Sequence, residues 1–456
     1  MQNNPIEHTR PPVYFVGIGG IGMSALARYF KAMGHLVAGY DKTPSPLTLK
    51  MNREENIPIT YAAAAAEIPT PFRDPARALV VYTPAVPREN LILAFFRDSG
   101  HAIYKRSEML GLISANKKAI CIAGTHGKTT VTTMTAFLLH SSRVGCNAFL
   151  GGISSNFGTN LLVNTASDYV VIEADEFDRS FLHLHPEMAV ITSMDDDHLD
   201  IYGARQHLLE AFEQFAAQTR GPLFLRAGLT LQGKEVAGYY AADKRADYHA
   251  RDPRVEEGTF RFDYVSPRVT IPDLRLTFPG RVNVENAVAA ITLALHAGAT
   301  PAEIREALPR FSGVARRFDM RARGRVIYID DYAHHPREIE AALTSVREMW
   351  PGRRLTVAFQ PHLYSRTADF YPAFAGSLNL ADEVILMEIY PAREAPVPGV
   401  TSRLIADLLT VPHAIVSREE LPERVRATVA DGIFMTVGAG DIDRLVPLFT
   451  DMFNDR

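Results

Sequence analysis

The stretch from Ile120 to Thr130, Ile-Cys-Ile-Ala-Gly-Thr-His-Gly-Lys-Thr-Thr, constrains the fold more than any other part of the chain. The apolar run Ala119 to Ala123 is long enough for one buried strand and too short for a helix. Gly124, Gly127 and Lys128 follow, and from Thr129 to His140 the residues Val131, Met134, Phe137 and Leu138 recur at helical spacing. A strand, a glycine-bearing turn and a helix opening on Lys-Thr-Thr make a phosphate cradle. Backbone N–H groups and the positive helix end face the anion, Lys128 adds a mobile charge, and a threonine hydroxyl can ligate Mg²⁺. The loop is shorter than the usual G-x-x-x-x-G-K-[ST] form, because Ile122 stands where that form has its first glycine.

A second glycine turn lies near the start. Val13 to Val16 reads as a strand, Gly17-Ile18-Gly19-Gly20-Ile21-Gly22 follows with G-x-G-x-x-G spacing, and a helix is predicted from Met23 to Met33. A further strand, Leu36 to Tyr40, ends at Asp41, which is placed to hold a ribose. This geometry recognises a diphosphate and leaves open which nucleotide carries it. Leu79 to Tyr82 and Ala102 to Tyr104 are two more strands, leading to Thr83 and Arg106. Ala62 to Ala66 reads as a helix face.

With 456 residues, the chain is long enough for two to four domains. Hydrophobic content of 47% and charged content of 22% belong to a globular protein with an ample core. A net charge of −4 shows no footprint for nucleic acid or a membrane surface. Two cysteines, Cys121 and Cys146, cannot form a disulfide framework, and no apolar run reaches the roughly 20 residues needed to span a bilayer. A cytoplasmic protein is expected.

Downstream, polar clusters repeat at strand ends. Tyr169 to Ile172 runs into Glu173-Ala174-Asp175-Glu176, and carboxylates so placed after a phosphate loop hold Mg²⁺. Met188 to Thr192 leads to Asp195-Asp196-Asp197-His198. Residues 230–278 read as irregular or β-rich, and Asn283 and Asn286 precede an alanine-rich helix, Ala287 to His296, where they serve as caps or reach a nucleotide base. After a joint at Arg316-Arg317, a third α/β unit places Asp330-Asp331-Tyr332-Ala333-His334-His335 and Gln360-Pro361-His362 at strand ends. The boundaries expected are 1–112, 113–312 and 313–456. The fold class is α/β in three domains: an N-terminal Rossmann-like domain, a central P-loop ATPase-type domain and a C-terminal Rossmann-like domain. An NAD-dependent oxidoreductase would use only the first glycine turn and leave the Lys128 loop unexplained.

The ordered runs Gly17 to Ser24, Ala123 to Thr130, Glu173 to Glu176, Asp197 to Asp200, Asn283 to Ala287, Arg316 to Asp319 and Asp330 to Pro336 resemble the Mur ligase family of peptidoglycan synthesis. The resemblance spans Val13 to Asp441 and is closest to the alanine-adding branch, with the tripeptide-adding recycling branch as the alternative. It implies ATP and two Mg²⁺ ions as cofactors, and UDP-N-acetylmuramate and L-alanine as substrates, in a monomer or weak homodimer. It implies that Gly124, Thr125, His126, Gly127, Lys128, Thr129, Thr130, Asn283, Asn286, Arg317 and Asp331 bind ATP. Thr129, Glu173 and His198 would hold the metals. Lys128, Glu173, His198, Arg317, Asp331 and His334 are the catalytic residues it implies. Gly17, Gly19, Gly20, Ile21, Gly22, Met23, Ser24, Asp41, Thr83, Arg106, His362 and Arg366 would bind the UDP-sugar.

Overall fold

The computed structural model describes residues 10–195, 202–243, 246–256, 258–392 and 394–454. Its strands form three sheets, of five, ten and six strands. By compactness the chain divides into two units. The first takes Met1–Ala250, Tyr264–Ile271 and Asn286–Leu308; the second takes Arg251–Asp263, Pro272–Glu285 and Pro309–Arg456.

The five-stranded sheet is parallel throughout, in the order Ile59–Thr60, Val37–Tyr40, Val13–Val16, Leu79–Tyr82, Ala102–Lys105. The chain begins in the middle, builds to one side and then to the other. This reversal opens a crevice beyond the C-terminal ends of Val13–Val16 and Leu79–Tyr82, where ligands of open α/β sheets bind. The alanine run behaves differently from expectation. It carries only the short 3-10 turn Ala65–Glu67, because Pro69 and Pro71 leave no room for a regular helix.

The ten-stranded sheet runs Thr270–Leu276, Thr259–Val265, Tyr248–Glu256, Gly238–Ala241, Leu223–Arg226, Met188–Ile191, Lys118–Ala123, Tyr169–Ala174, Asn147–Phe149, Leu161–Leu162. Of the two readings open for residues 230–278 the structure takes the β-rich one, with three long strands of alternating burial. Lys118–Ala123 lies between two parallel neighbours, Met188–Ile191 and Tyr169–Ala174, with Ile122 in register with Glu173 and Ala123 with Ile191. The helix Lys128–His140 is buried continuously from Thr130 to Leu139, not along one stripe. It packs on strands Lys118–Ala123 and Tyr169–Ala174 and also against the helix Pro301–Ala307. Helices buried all round belong in the interior of large domains.

Within this unit the boundary expected at 112 falls inside the helix Arg106–Asn116. Ser114 Oγ accepts from His185 N at 3.0 Å, and Asn160 Nδ2 donates to Ile21 O at 2.7 Å. Phe15 of the first sheet, with Leu26 and Phe30 of the helix Ile21–Ala32, shares one core with Cys121 and Ile172 of the second sheet and with Phe181 and Phe215 packed beside it. Phe181 is fully buried, stacked on Phe215 and edge-on to Phe212. Phe181→Ala is expected to cost about 3–5 kcal/mol in urea unfolding; a loss below about 1 kcal/mol would mean that the site collapses around the deletion.

The second unit carries the six-stranded sheet, in the order Asp319–Arg323, Val326–Asp331, Gly432–Val437, Leu355–Phe359, Glu383–Met387, His413–Val416. The first pair is antiparallel and the rest are parallel. Tyr328, Phe434, Phe449 and Phe453 pack together beneath it. Among the described residues no helix is long and apolar enough to cross a membrane.

Candidate active site

The centre of the first unit is the turn from Lys118–Ala123 into the helix Lys128–His140. Gly124 has φ +131° and Gly127 has φ +82°, conformations that side chains resist. A Cβ on Gly124 would overlap Thr192 Oγ1 and Ser193 N, so the turn is pressed onto the end of the neighbouring strand. Thr192 Oγ1 donates to Ala123 O at 3.1 Å, and Ser193 Oγ accepts from His126 N at 2.7 Å. Thr125 Oγ1 lies 2.9 Å from Ser193 Oγ and accepts from Asp195 N at 3.1 Å. The hydroxyl of Thr125 therefore shapes the loop. Thr192 and Ser193 were not singled out in the sequence; their signal is their place directly after the strand Met188–Ile191.

The catalytic candidates gather here. Thr129 Oγ1 donates to Glu173 Oε1 at 2.9 Å, and Gly151 N donates to Glu173 Oε2 at 3.0 Å. A hydroxyl and a carboxylate converging on one point are hard oxygen donors of the kind Mg²⁺ takes. A Cβ on Gly151 would overlap the Glu173 carboxylate, so this glycine is what lets the acid lie flat beside the loop. Lys128 Nζ donates to Gly124 O at 2.6 Å and to Glu176 Oε2 at 2.7 Å. Burial pulls the Lys128 ammonium down, but the charges of Glu176, Asp175 and Glu173 outweigh it, so it stays protonated above the usual lysine range. His126 Nε2 lies 3.7 Å from Asp195 Oδ2.

Among the described residues, no cluster of three or more His, Cys, Asp or Glu is placed to hold a metal ion. His198, expected as a metal ligand, lies outside the described residues together with Asp197 and Asp200.

Asn283 and Asn286 do not stand before a helix, as expected, but within one that begins at Arg281. Gly280, at φ +98°, turns the chain into that helix early. Asn283 is buried and its Nδ2 donates to Pro279 O, while the Asn286 side chain sits against Gly127, within 3.3 Å of where a Cβ there would be. Thr130 is buried in the same helix start as Thr129.

In the N-terminal crevice, Gly17 has φ +84°, and a Cβ on it would stand 2.5 Å from Thr83 Cγ2. A Cβ on Gly22 would stand 2.9 Å from Arg106 Nη1, so the guanidinium lies over the start of the helix Ile21–Ala32. Gly20 and Ile21 are exposed at the rim. Asp41 Oδ2 accepts from Gly19 N at 2.7 Å, so the acid expected at a ribose also braces the glycine turn. Met23 and Ser24 are buried, and Ser24 Oγ donates to Ile21 O, so both side chains serve the helix.

The second unit gathers its candidates at the C-terminal edge of its sheet. Asp331 ends the strand Val326–Asp331 and accepts from Phe318 N at 2.8 Å and Ala333 N at 2.7 Å. Those two bonds clamp a turn in which Arg316 and Phe318 both have positive φ. Arg316, read in the sequence only as part of the joint, donates to Gly438 O and pairs with Asp330; Arg317 lies over the Tyr332 ring at 5.1 Å. His334 Nδ1 lies 3.0 Å from Tyr332 O, which can only accept, so Nδ1 carries the proton and Nε2 keeps its lone pair. Burial holds His334 below the usual histidine range, with Arg366 and Arg317 adding to the effect against Glu338. The His334 and His362 rings lie 6.0 Å apart, and His362 stacks on Tyr390. Arg317, His334, His362 and Arg366 thus gather at one edge, whose fixed positive charges are the two guanidiniums.

Burial pushes the Asp331 carboxyl up to about 6, against the Arg317 guanidinium and the Ala333 and Phe318 N–H groups. Between the ordinary carboxylate range and about pH 6 the native state therefore binds more protons than the unfolded chain, and stability from this group falls as pH rises through that window. Asp331→Asn is expected to remove about 2–3 kcal/mol of that fall in urea unfolding compared across the window; an unchanged pH slope would contradict it.

A lysine-bearing phosphate loop with an Mg²⁺-type donor pair, beside a second glycine crevice, defines a nucleotide-dependent enzyme, and its sequence places the chain in the Mur ligase family. Residues 12–118 match the Mur ligase family catalytic domain, 122–294 the Mur ligase middle domain, and 316–440 the Mur ligase glutamate ligase domain. The chain is 49% identical to the UDP-N-acetylmuramate–L-alanine ligase of Phocaeicola vulgatus, over 98% of this chain and 99% of that protein. It is also 49% identical to the same ligase of Porphyromonas gingivalis, over 95% and 97%. The crystal structure of the UDP-N-acetylmuramate–alanine ligase of Thermotoga maritima superposes with TM-score 0.81 at 29% identity, covering 98% of this chain and 99% of that one. A murein peptide ligase from Psychrobacter arcticus, 21% identical over 98% of this chain and 99% of that one, shares the fold with TM-score 0.65.

Proposed function

We propose that this protein is an ATP-dependent ligase that joins L-alanine to the lactyl carboxylate of UDP-N-acetylmuramate, a step of peptidoglycan precursor synthesis. The observation that carries the reading is the convergence of Lys128, Thr129, Glu173 and Glu176 on one phosphate loop, in a chain 49% identical to ligases named for that reaction.

A carboxylate is a poor electrophile, so an amide cannot form from it directly. A lactyl oxygen attacks the γ-phosphorus of ATP, the bond to the β-bridging oxygen breaks, and ADP leaves an acyl phosphate. The amine of L-alanine, having lost one proton, adds to the acyl carbon, and phosphate leaves the tetrahedral intermediate with the second nitrogen proton, giving the amide. Lys128 neutralises charge between the β- and γ-phosphates as the two anions approach. Mg²⁺ held by Thr129 and Glu173, with His198 for a second ion, would supply further charge neutralisation. The backbone from Gly124 to Gly127 cradles the phosphates, and Asn283 and Asn286 address the adenine. Gly17 to Gly22 with Thr83 and Arg106 take the UDP diphosphate, Asp41 acting through the turn it braces. Arg317 and Asp331 contribute to ATP binding, and His362 and Arg366 to the UDP-sugar. His334, neutral and with Nε2 as its acceptor, is suited to take the proton from the incoming ammonium.

ADP release is expected only when UDP-N-acetylmuramate, ATP, Mg²⁺ and L-alanine are all present. Release with the tripeptide in place of L-alanine would move the protein to the recycling branch. No release with either amine from folded protein would overturn the ligase reading.

A further inference from the structure

We propose that Glu176 is a positioning residue for Lys128, the buried counter-ion that sets where the lysine ammonium points in the phosphate loop. The proposal rests on the ATP-dependent reading above. Glu176 is fully buried, and its Oε2 lies 2.7 Å from Lys128 Nζ. Its backbone is pinned independently, because the Glu176 carbonyl accepts both from the Tyr202 hydroxyl at 2.6 Å and from Arg179 N at 2.9 Å. The main chain from which the carboxylate reaches the lysine is therefore fixed independently of Lys128.

An ammonium has three N–H donors. Gly124 O takes one of them at 2.6 Å and Glu176 takes another, so the direction of the third is set by the first two. Two acids one turn apart in sequence thus address the first two residues of one helix: Glu173 meets Thr129, and Glu176 meets Lys128. Without the carboxylate's charge the buried ammonium keeps only neutral carbonyl acceptors, and a long flexible side chain loses the anionic point that fixes it.

The test is a double-mutant cycle of wild type, Glu176→Gln, Lys128→Ala and the double variant. ADP release, binding of a non-hydrolysable ATP analogue and binding of UDP-N-acetylmuramate are measured on each. Glu176→Gln is expected to lower kcat about 100-fold, the scale of a misplaced catalytic group. Its binding of UDP-N-acetylmuramate is expected to stay within about threefold of wild type, which general loosening of the fold would not allow. In the Lys128→Ala background the same substitution is expected to change turnover by less than about twofold, because two residues acting through one contact are not additive. Additive losses, or a Glu176→Gln enzyme with turnover near wild type, would overturn the proposal. Should Glu176→Gln not fold, Glu176→Asp, which keeps the charge and withdraws it by one methylene, takes its place under the same criteria. If the wild type itself releases no ADP, the ligase reading fails, and non-additivity in binding the ATP analogue then decides the role of Glu176 alone.

Discussion

Lys128→Ala is expected to lower L-alanine-dependent ADP release by about 10³-fold, the loss that follows removal of a preorganised charge from a phosphoryl-transfer site. The same substitution leaves Glu176 buried without its cation. Breaking a buried pair in this way costs about 3–5 kcal/mol. Since Glu176 is fully buried and the Lys128 side chain is 12% exposed, solvent does little to soften that cost. Two measurements separate the effects. Urea unfolding reads the stability loss, and turnover at a temperature where the variant remains folded reads the catalytic loss. Glu176→Gln in the Lys128→Ala background is expected to recover part of the stability and none of the turnover. Turnover within tenfold of wild type in folded Lys128→Ala protein would remove the loop lysine from the mechanism.

Glu173→Gln is expected to lower turnover about 100-fold at a fixed Mg²⁺ concentration and to raise the Mg²⁺ needed for half-maximal rate. Glutamine keeps an oxygen for Thr129 Oγ1 or Gly151 N, so the local hydrogen bonding survives in part while the anionic ligand is lost. Stability is expected to change little, since Glu173 is only partly buried. A Mg²⁺ titration that superposes on that of the wild type would exclude Glu173 as a ligand, whatever the change in kcat.

Much of the site was legible because its signals are local. An apolar run, two glycines that permit positive φ, and a lysine at a helix start specify a strand–loop–helix cradle within a dozen residues. The glycine turn at Gly17 to Gly22 was legible for the same reason. Strand-end acids such as Glu173 could be read because consecutive parallel strands place their C-terminal ends on one edge.

Other readings depended on neighbours distant in the chain. Asn283 and Asn286 looked like the approach to a helix, yet the turn at Gly280 starts that helix at Arg281 and puts both inside it. Asp41 was read as a ligand-side acid, and only the register of Val13–Val16 with Val37–Tyr40 shows that it also accepts from the backbone of Gly19. Of the two adjacent arginines at the joint, only the turn geometry around Arg316 and Phe318 decided which one pairs with Asp330.

By itself, then, the sequence determined the α/β class, the two glycine turns and the placing of Lys128 and Thr129 at a helix start and Glu173 at a strand end, because periodicity and turn conformation are properties of short segments. The tertiary structure alone decided that Glu176 is the partner of Lys128, 48 residues away, and that Thr192 and Ser193 shape the loop from a third strand. Those contacts follow from strand order, with Lys118–Ala123 set between Met188–Ile191 and Tyr169–Ala174. Strand order is settled by which faces of the whole core fit together, and no single segment carries that information.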